Sequence, residues 1–207
     1  MAGNSDTVQH LLQQAGAGDT DALGVLLARD RGRLVRMVSL RLDRRLARRL
    51  DVSDIVQEVH VDATRRLAEY LAMESPPPFY LWLRLLTGQK LTDLYRHHLG
   101  AQKRDVRREV AFDRGFVQAT SVALAEQLAG SLATPSRAAE RAEVQARVRE
   151  TLESLEPMDR EVLALRHFEQ LDNAETAQAL GIETSAASKR YVRALKRLGT
   201  ALGETPQ

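Results

Sequence analysis

The chain of 207 residues contains no cysteine. That absence excludes a disulfide framework, a thiolate metal site and a cysteine nucleophile, and nothing in it calls for an oxidising compartment. Aromatic residues make up only 4% of the chain, with 6 prolines and 12 glycines as punctuation, and β-branched runs are missing. With so little that favours strands, the expected fold class is all-α, as two small helical domains. No stretch reaches the roughly 18 apolar residues of a membrane span. The opening MAGNSDTVQHLLQQAGAGD also lacks the basic and apolar regions of a secretion signal, so the expectation is a soluble, cytoplasmic protein without a membrane partner.

Catalytic signatures are missing as well. There are no paired carboxylates in a catalytic setting, no glycine-rich phosphate loop and no serine triad, and His10, His60 and His167 stand apart in the pattern. Asp93 and His97 lie four residues apart with His98 adjacent, a spacing that could hold a metal. On a polar helix a surface role outweighs that reading, so no metal site, no cofactor and no enzymatic activity are expected.

What the chain does have is arginine. The net charge is only +2, but charge acts over about one Debye length, roughly 8 to 10 Å, so its clustering matters more than its sum. Arg29, Arg31, Arg33, Arg36, Arg41, Arg44, Arg45, Arg48 and Arg49 crowd one stretch, and Arg190, Arg193, Lys196 and Arg197 another. Both are candidate phosphate-facing surfaces.

The apolar periodicity gives helices over residues 6–28 and 30–50, divided around Asp30 to Gly32. A third opens at Asp51 to Asp54 and carries the stripe Ile55, Val56, Val59, Ala63, Leu67, Tyr70 and Leu71. Consecutive prolines in Glu74 to Pro78 stop it, and a helix restarts at Phe79 and runs to His98. Periodicity weakens between residues 106 and 140, which read as a linker, partly helical at Ser121 to Leu128. It then returns, with Pro157 at a helix start. The expected domains are therefore 1–105 and 141–203, joined by 106–140.

Near the C-terminus, LDNAETAQALGIETSAASKRYVRALKRL has the layout of a helix-turn-helix. Asp172 with Glu175 forms a capping-box pattern, Gly181 can end the first helix in a left-handed conformation, and Thr184 can cap the second. Ile182, Ala187, Tyr191, Ala194, Leu195 and Leu198 would face inward. Ser185, Ser188, Lys189, Val192, Arg193 and Lys196 would face out, toward a major groove. One such module is small for DNA binding alone, which calls for a dimer or for a second head in the same chain.

In the N-terminal half, Asp54, Gln57 and Glu58 share one face of DVSDIVQEVHVDATRRL, with Asp51 just before it. An acidic face suits a basic protein partner. FYLWLRLLTGQKLTDLYRHH projects Gln89, Lys90, Asp93, Arg96 and His97, a surface that suits nucleic acid.

These two segments, followed by LESLEPMDREVLALRHFEQLDNAETAQALGIETSAASKRYVRALKRL, resemble the extracytoplasmic-function sigma factors of the sigma-70 superfamily, with motifs for region two and region four in the family's order. The resemblance implies promoter-directed transcription initiation with core RNA polymerase and promoter DNA as partners. It implies that Asp51, Asp54, Gln57 and Glu58 dock on the β′ clamp helices, and that region four meets the β flap. It further implies that Glu74, Gln89, Lys90, Arg96 and His97 melt and read the −10 element. The helix from Thr184 would read the −35 element through Ser185, Ser188, Lys189, Val192, Arg193 and Lys196. Gln89 departs from the family's usual asparagine. Ser53 stands where an acidic residue is common; it reads first as a helix-start residue, while phosphorylation there would supply the charge, so an anti-sigma protein, a Ser/Thr kinase and expression level alone stand as alternative regulators. The competing reading, a dimeric helix-turn-helix regulator that binds operators without polymerase, leaves the acidic face and the helix from Phe79 without a role.

Overall fold

The computed structural model describes residues 2–42, 44–99, 121–132 and 138–201, and the described residues are helical with no strand among them. The chain divides into two compact units, Met1–Val38 with Leu42–Val117, and Ser39–Arg41 with Gln118–Gln207. Most of the expected linker lies outside the described residues. The part that is described, α6 (Ser121–Leu132), is a helix packed on α7 (Ala138–Ser154).

The first unit contains α1 (Ala2–Gly16), α2 (Thr20–Arg41) as far as Val38, the short α3 (Arg44–Ala47), α4 (Val52–Leu71) and α5 (Phe79–Leu99). The break between α1 and α2 falls at residues 17–19 rather than at Asp30 to Gly32. Gly18 takes φ 99°, open to glycine at no steric cost, and Asp19 caps α2 by accepting the Asp21 and Ala22 amides at 2.9 and 3.1 Å. Asp30 instead lies inside α2, buried, with Arg29 at 3.6 Å and Arg33 at 3.9 Å. The Arg33 guanidinium also sits 3.6 Å from the Tyr80 ring centroid, a cation–π arrangement that fixes it against α5. The polar run that read as a loop is thus held in a helix by its own charge compensation. Neither Arg33, so placed, nor the buried Arg41 belongs to an open phosphate-facing surface.

α4 and α5 form the working pair of this unit. Ile55, Val56, Val59, Ala63 and Leu67 recur at helical spacing and are buried together with Tyr80, Leu83, Leu86 and Leu91 of α5. Each fully buried leucine contributes about 1.5 to 3 kcal/mol relative to exposure, so this seam decides which faces remain outside. α1 closes on the end of α4 at Gly16, where a Cβ would come within 2.9 Å of Leu71 Cδ1.

In the second unit, Leu124, Ala125, Val148, Leu152, Leu155, Leu163, Ala164, Ala194 and Leu198 form one core. α8 (Pro157–Leu163) opens on Pro157 and widens into a π turn at Ala164–Phe168, closed by the Glu169 amide on the Ala164 carbonyl at 3.0 Å. Gln170 adopts φ 59°, and the chain then enters α9 (Asn173–Leu180) and α10 (Thr184–Ala201). No helix among the described residues is long and apolar enough to cross a membrane.

One half-buried histidine gives the first unit a pH dependence. The Nε2 of His60 is buried and has no hydrogen-bond partner among the described residues. Burial, and then the charge of Arg31, lowers its pKa from 6.5. The folded state therefore disfavours the proton, and its stability falls as pH drops below the unfolded pKa. Thermal unfolding followed by circular dichroism should show a lower midpoint at pH 5 than at pH 7, and His60→Leu should remove part of that difference.

Candidate functional site

The site-bearing surfaces are two, one on each unit. On the first, α4 begins with Asp51 as its N-cap, the carboxylate accepting the Ser53 amide at 2.6 Å. This bond satisfies one of the amides that a helix start leaves open, and it leaves Asp51 exposed at the head of the acidic face. Asp54, Gln57 and Glu58 follow on that face, all exposed. With Val61, Asp62, Arg65 and Lys90 they line a shallow groove of about 470 Å³. Its floor has an apolar spot, since Val61 is 44% exposed.

Lys90 pairs with Glu58. The residue expected on DNA and the residue expected on a protein partner thus share one contact, and the two surfaces abut. Gln89 is held too: its Oε1 accepts from Arg66 Nη1 at 3.1 Å, and Arg66 Nε reaches Glu69 at 3.2 Å. Arg66 therefore belongs to this surface, although its sequence position gave no sign of it. Further along α5, Arg96 and His97 are exposed and continue the same face, about 10 Å of helix rise beyond Gln89 and Lys90. Asp93 stands among them, 4.0 Å from Arg96, a carboxylate beside a cation. The side chain of His98 lies outside the described residues.

Glu74 is exposed in the loop between α4 and α5. The Tyr70 hydroxyl donates to the Pro77 carbonyl at 2.9 Å, and the Tyr70 ring packs edge-on to Phe79 at 5.6 Å and tilted on Trp82 at 4.7 Å. Burial raises the Tyr70 pKa, so the hydroxyl remains a donor. This aromatic cluster anchors the proline loop to the start of α5, and Pro78 accepts the Leu81 and Trp82 amides with its carbonyl at 2.8 and 3.2 Å.

On the second unit the helix-turn-helix is built by local bonds. Asp172 and Glu175 form a reciprocal capping box, at 2.8 Å to the Glu175 amide and 3.0 Å from the Asp172 amide. Gly181 ends α9 at φ 64° and ψ 37°. α10 begins at Thr184 itself, with Glu183 flanking it and accepting the Ala187 amide at 3.0 Å, so Thr184 is the first helical residue and not the cap. Asn173 ties the two helices together: its Nδ2 donates to the Thr184 carbonyl at 2.8 Å, while its Oδ1 accepts from Arg166 at 2.8 Å. The Arg166 guanidinium also sits 4.7 Å from the Tyr191 ring centroid.

Ala187, Ala194 and Leu198 are buried and Tyr191 half-buried, so the face with Ser185, Ser188, Lys189, Val192 and Lys196 is exposed as expected. Leu195 differs from its expected inward place, being 41% exposed. Arg193 is exposed on the expected face, and it is also engaged with a second helix: Nε and Nη2 donate to the Asp159 carboxylate at 2.7 and 2.8 Å. Arg190 donates to the same carboxylate at 2.7 Å and to Glu156 at 3.1 Å. Burial alone would raise the Asp159 pKa, but the hydrogen bonds and charges of Arg193 and Arg190 outweigh it and hold the carboxyl below the usual range.

Comparison with known proteins finds similarity to sigma factors. The family model for region 4 of sigma-70 matches residues 145–198, which contain α8, α9 and most of α10. The chain is 29% identical over 198 residues to the ECF RNA polymerase sigma factor SigD of Mycobacterium bovis, covering 96% of this chain and 85% of the relative. SigD of Mycobacterium tuberculosis matches equally. Among solved structures, CnrH in complex with the cytosolic domain of CnrY is similar with a TM-score of 0.55 and 26% identity, covering 97% of this chain and 99% of that one.

The Glu58–Lys90 pair is largely solvent-facing on its acidic side, with Glu58 58% exposed. Pairs of this kind contribute about 0.2 to 1 kcal/mol and are screened by salt. A double-mutant cycle with Glu58→Gln and Lys90→Met, read by thermal unfolding, should give a coupling below about 1 kcal/mol that shrinks at about 0.5 M salt. A larger, salt-insensitive coupling would mean that Lys90 is locked to α4.

Proposed function

The chain belongs to the extracytoplasmic-function sigma factors of the sigma-70 family, and from that premise we propose how its two surfaces divide the work of transcription initiation. As a sigma factor it directs core RNA polymerase to promoters. In our reading the α4 groove is the polymerase grip: Asp51, Asp54, Gln57 and Glu58 receive basic side chains of the β′ clamp helices, with Val61 offering apolar contact. The second unit meets the β flap and sets α10 in the major groove of the −35 element, with Ser185, Ser188, Lys189, Val192, Arg193 and Lys196 toward the bases and Thr184 at the phosphate edge. The face of Glu74, Gln89, Lys90, Arg96 and His97 takes the −10 element. Residues 1–105 and 141–203 would be the two binding domains, with 106–140 between them, and the protein would act in the cytoplasm without catalysis of its own.

The observation that carries this reading is the exposed polar face of α10 inside the segment matched by the region-four model. It is supported by the acidic groove of α4, which suits a basic protein and repels DNA. Base contacts of this kind discriminate by about 1 to 3 kcal/mol each, whereas phosphate contacts weaken all sequences alike when lost. At the −10 element, holding an extruded base offsets a few kcal/mol of unstacking. The anchored proline loop beside the start of α5 is the place we assign to it.

Regulation belongs to the same reading. CnrH is held by the cytosolic domain of CnrY, and we take an anti-sigma protein as the corresponding partner here. Ser53 is exposed in the first turn of α4, where an added phosphate would meet the positive end of the helix and deepen the acidic face, so a Ser/Thr kinase is the second regulator we assign.

The test is reconstitution with core polymerase and transcription from a promoter library. Asp54→Lys with Glu58→Lys should reduce core binding at least tenfold at low salt, as like charges replace attraction. Lys189→Ala should change −35 choice while core binding stays intact. A chain that failed to bind core polymerase and occupied DNA as a symmetric dimer would overturn the proposal in favour of an operator-binding regulator.

A further inference from the structure

Two arginines of α10, Arg190 and Arg193, are held by carboxylates of α8 and of the residue preceding it, an arrangement that the assignment of α10 to DNA does not by itself require. Asp159 is 1% exposed, yet it carries a full negative charge shared between two guanidinium groups. A buried carboxylate is tolerated only while its partners stay. The pairing therefore constrains the arginines as much as it neutralises the acid.

The constraint has a direction. A guanidinium offers five N–H donors in a rigid plane. Arg193 commits the edge formed by Nε and Nη2 to Asp159 at 2.7 and 2.8 Å. Its end-on edge, Nη1 with the outer hydrogen of Nη2, faces away from that carboxylate; Glu156 Oε2 stands 3.9 Å from Nη2, beyond hydrogen-bond distance, and 49% of the side chain is exposed. Arg190 is more enclosed, its Nη1 shared between Asp159 and Glu156. Arg190 secures the acid, and Arg193 is presented to the outside. An end-on pair of donors is the geometry that meets two adjacent acceptors on a base edge, as on guanine O6 and N7.

We propose that Asp159 is a positioning residue for promoter reading: it holds the Arg193 guanidinium end-on so that Arg193 discriminates one base pair of the −35 element. An untethered arginine would sample many rotamers and lose part of its gain to ordering. A tethered one arrives already aimed. The inference rests on the assignment of α10 to −35 DNA and adds to it a residue that does not touch DNA.

The experiment uses holoenzyme reconstituted from core polymerase and full-length protein, with a library varied across the −35 element. Asp159→Asn should keep the size of the side chain and remove the charge that orients Arg193. Discrimination at one base pair should fall about tenfold, a typical share of a bidentate contact, while the other −35 positions and the −10 preference keep their ranking. Asp159→Glu should retain more of that discrimination than Asp159→Asn. In an Arg193→Ala background, Asp159→Asn should have no further effect at that base pair. Circular dichroism melts of each variant establish that it is folded.

A folded Asp159→Asn protein with unchanged discrimination, or one weakened uniformly across all sequences, would overturn the positioning role, as would an effect that persists without Arg193. If Arg193→Ala itself leaves −35 choice intact, the base-reading role of Arg193 falls and this inference with it. That pattern is distinct from an active Arg193 beside a silent Asp159, which overturns only the inference.

Discussion

Burial of one stripe on α10 sets everything that the second unit can present. Ala187, Ala194 and Leu198 are buried and Tyr191 half-buried, and their spacing at three- and four-residue steps leaves a fixed opposite face. Small residues at the first positions let α10 lie close against the core, so a rotation of the helix would drive a larger side chain into a packed site. The exposed face is thus a consequence of packing, and the polar residues on it are free of structural duty. Once the stripe is fixed, Ser185, Ser188, Lys189, Val192 and Lys196 have no other direction to take.

Polar bonds then refine what packing allows. Asn173 links the start of α9 to the start of α10, Gly181 sets the angle between them, and Asp159 holds two side chains of α10 from another helix altogether. The first unit follows the same logic with different chemistry: the seam between α4 and α5 decides the outer faces, Tyr70 pins the proline loop, and Arg66 and Glu58 engage Gln89 and Lys90. In both units some of the residues assigned to partners, Gln89 and Lys90 in the first and Arg193 in the second, are restrained before any partner arrives. Such restraint lowers the ordering cost of binding, which for long side chains is about 0.5 to 1.5 kcal/mol each.

Local features of this chain were legible from sequence because their partners lie within a few residues. The capping box of Asp172 and Glu175, the left-handed Gly181, the restart at Phe79 after the prolines and the all-helical class all follow from short-range rules. The α1 and α2 boundary was misplaced because Asp30, Arg31 and Gly32 look like a turn, while the compensation of Asp30 by Arg29 and Arg33 and the stacking of Arg33 on Tyr80 keep the helix going. Pairings at long separation left no trace in the pattern. Arg193 meets Asp159 across 34 residues and Gln89 meets Arg66 across 23, and no periodicity announces either. Leu195 read as inward by its hydrophobicity, yet a helix stripe has room for only part of its apolar residues.

The pairings also resolve an apparent difficulty in the charge. A net charge of +2 is modest for a protein that must hold DNA, and several arginines are neutralised internally, Arg190 and Arg193 by Asp159 and Arg33 by Asp30. Strong uniform basicity would favour every phosphate backbone alike and raise non-specific binding, whose strength scales with the number of phosphates neutralised. In the function proposed above, a chain that spends its cations on its own carboxylates gives up that general attraction and keeps oriented donors for particular bases. On that proposal affinity comes from joining two modest surfaces in one chain, since the second contact forms at the effective concentration set by the first. The proposed acidic grip on α4 and the proposed aiming of Arg193 serve the same end, because each reduces binding in the wrong place more than in the right one.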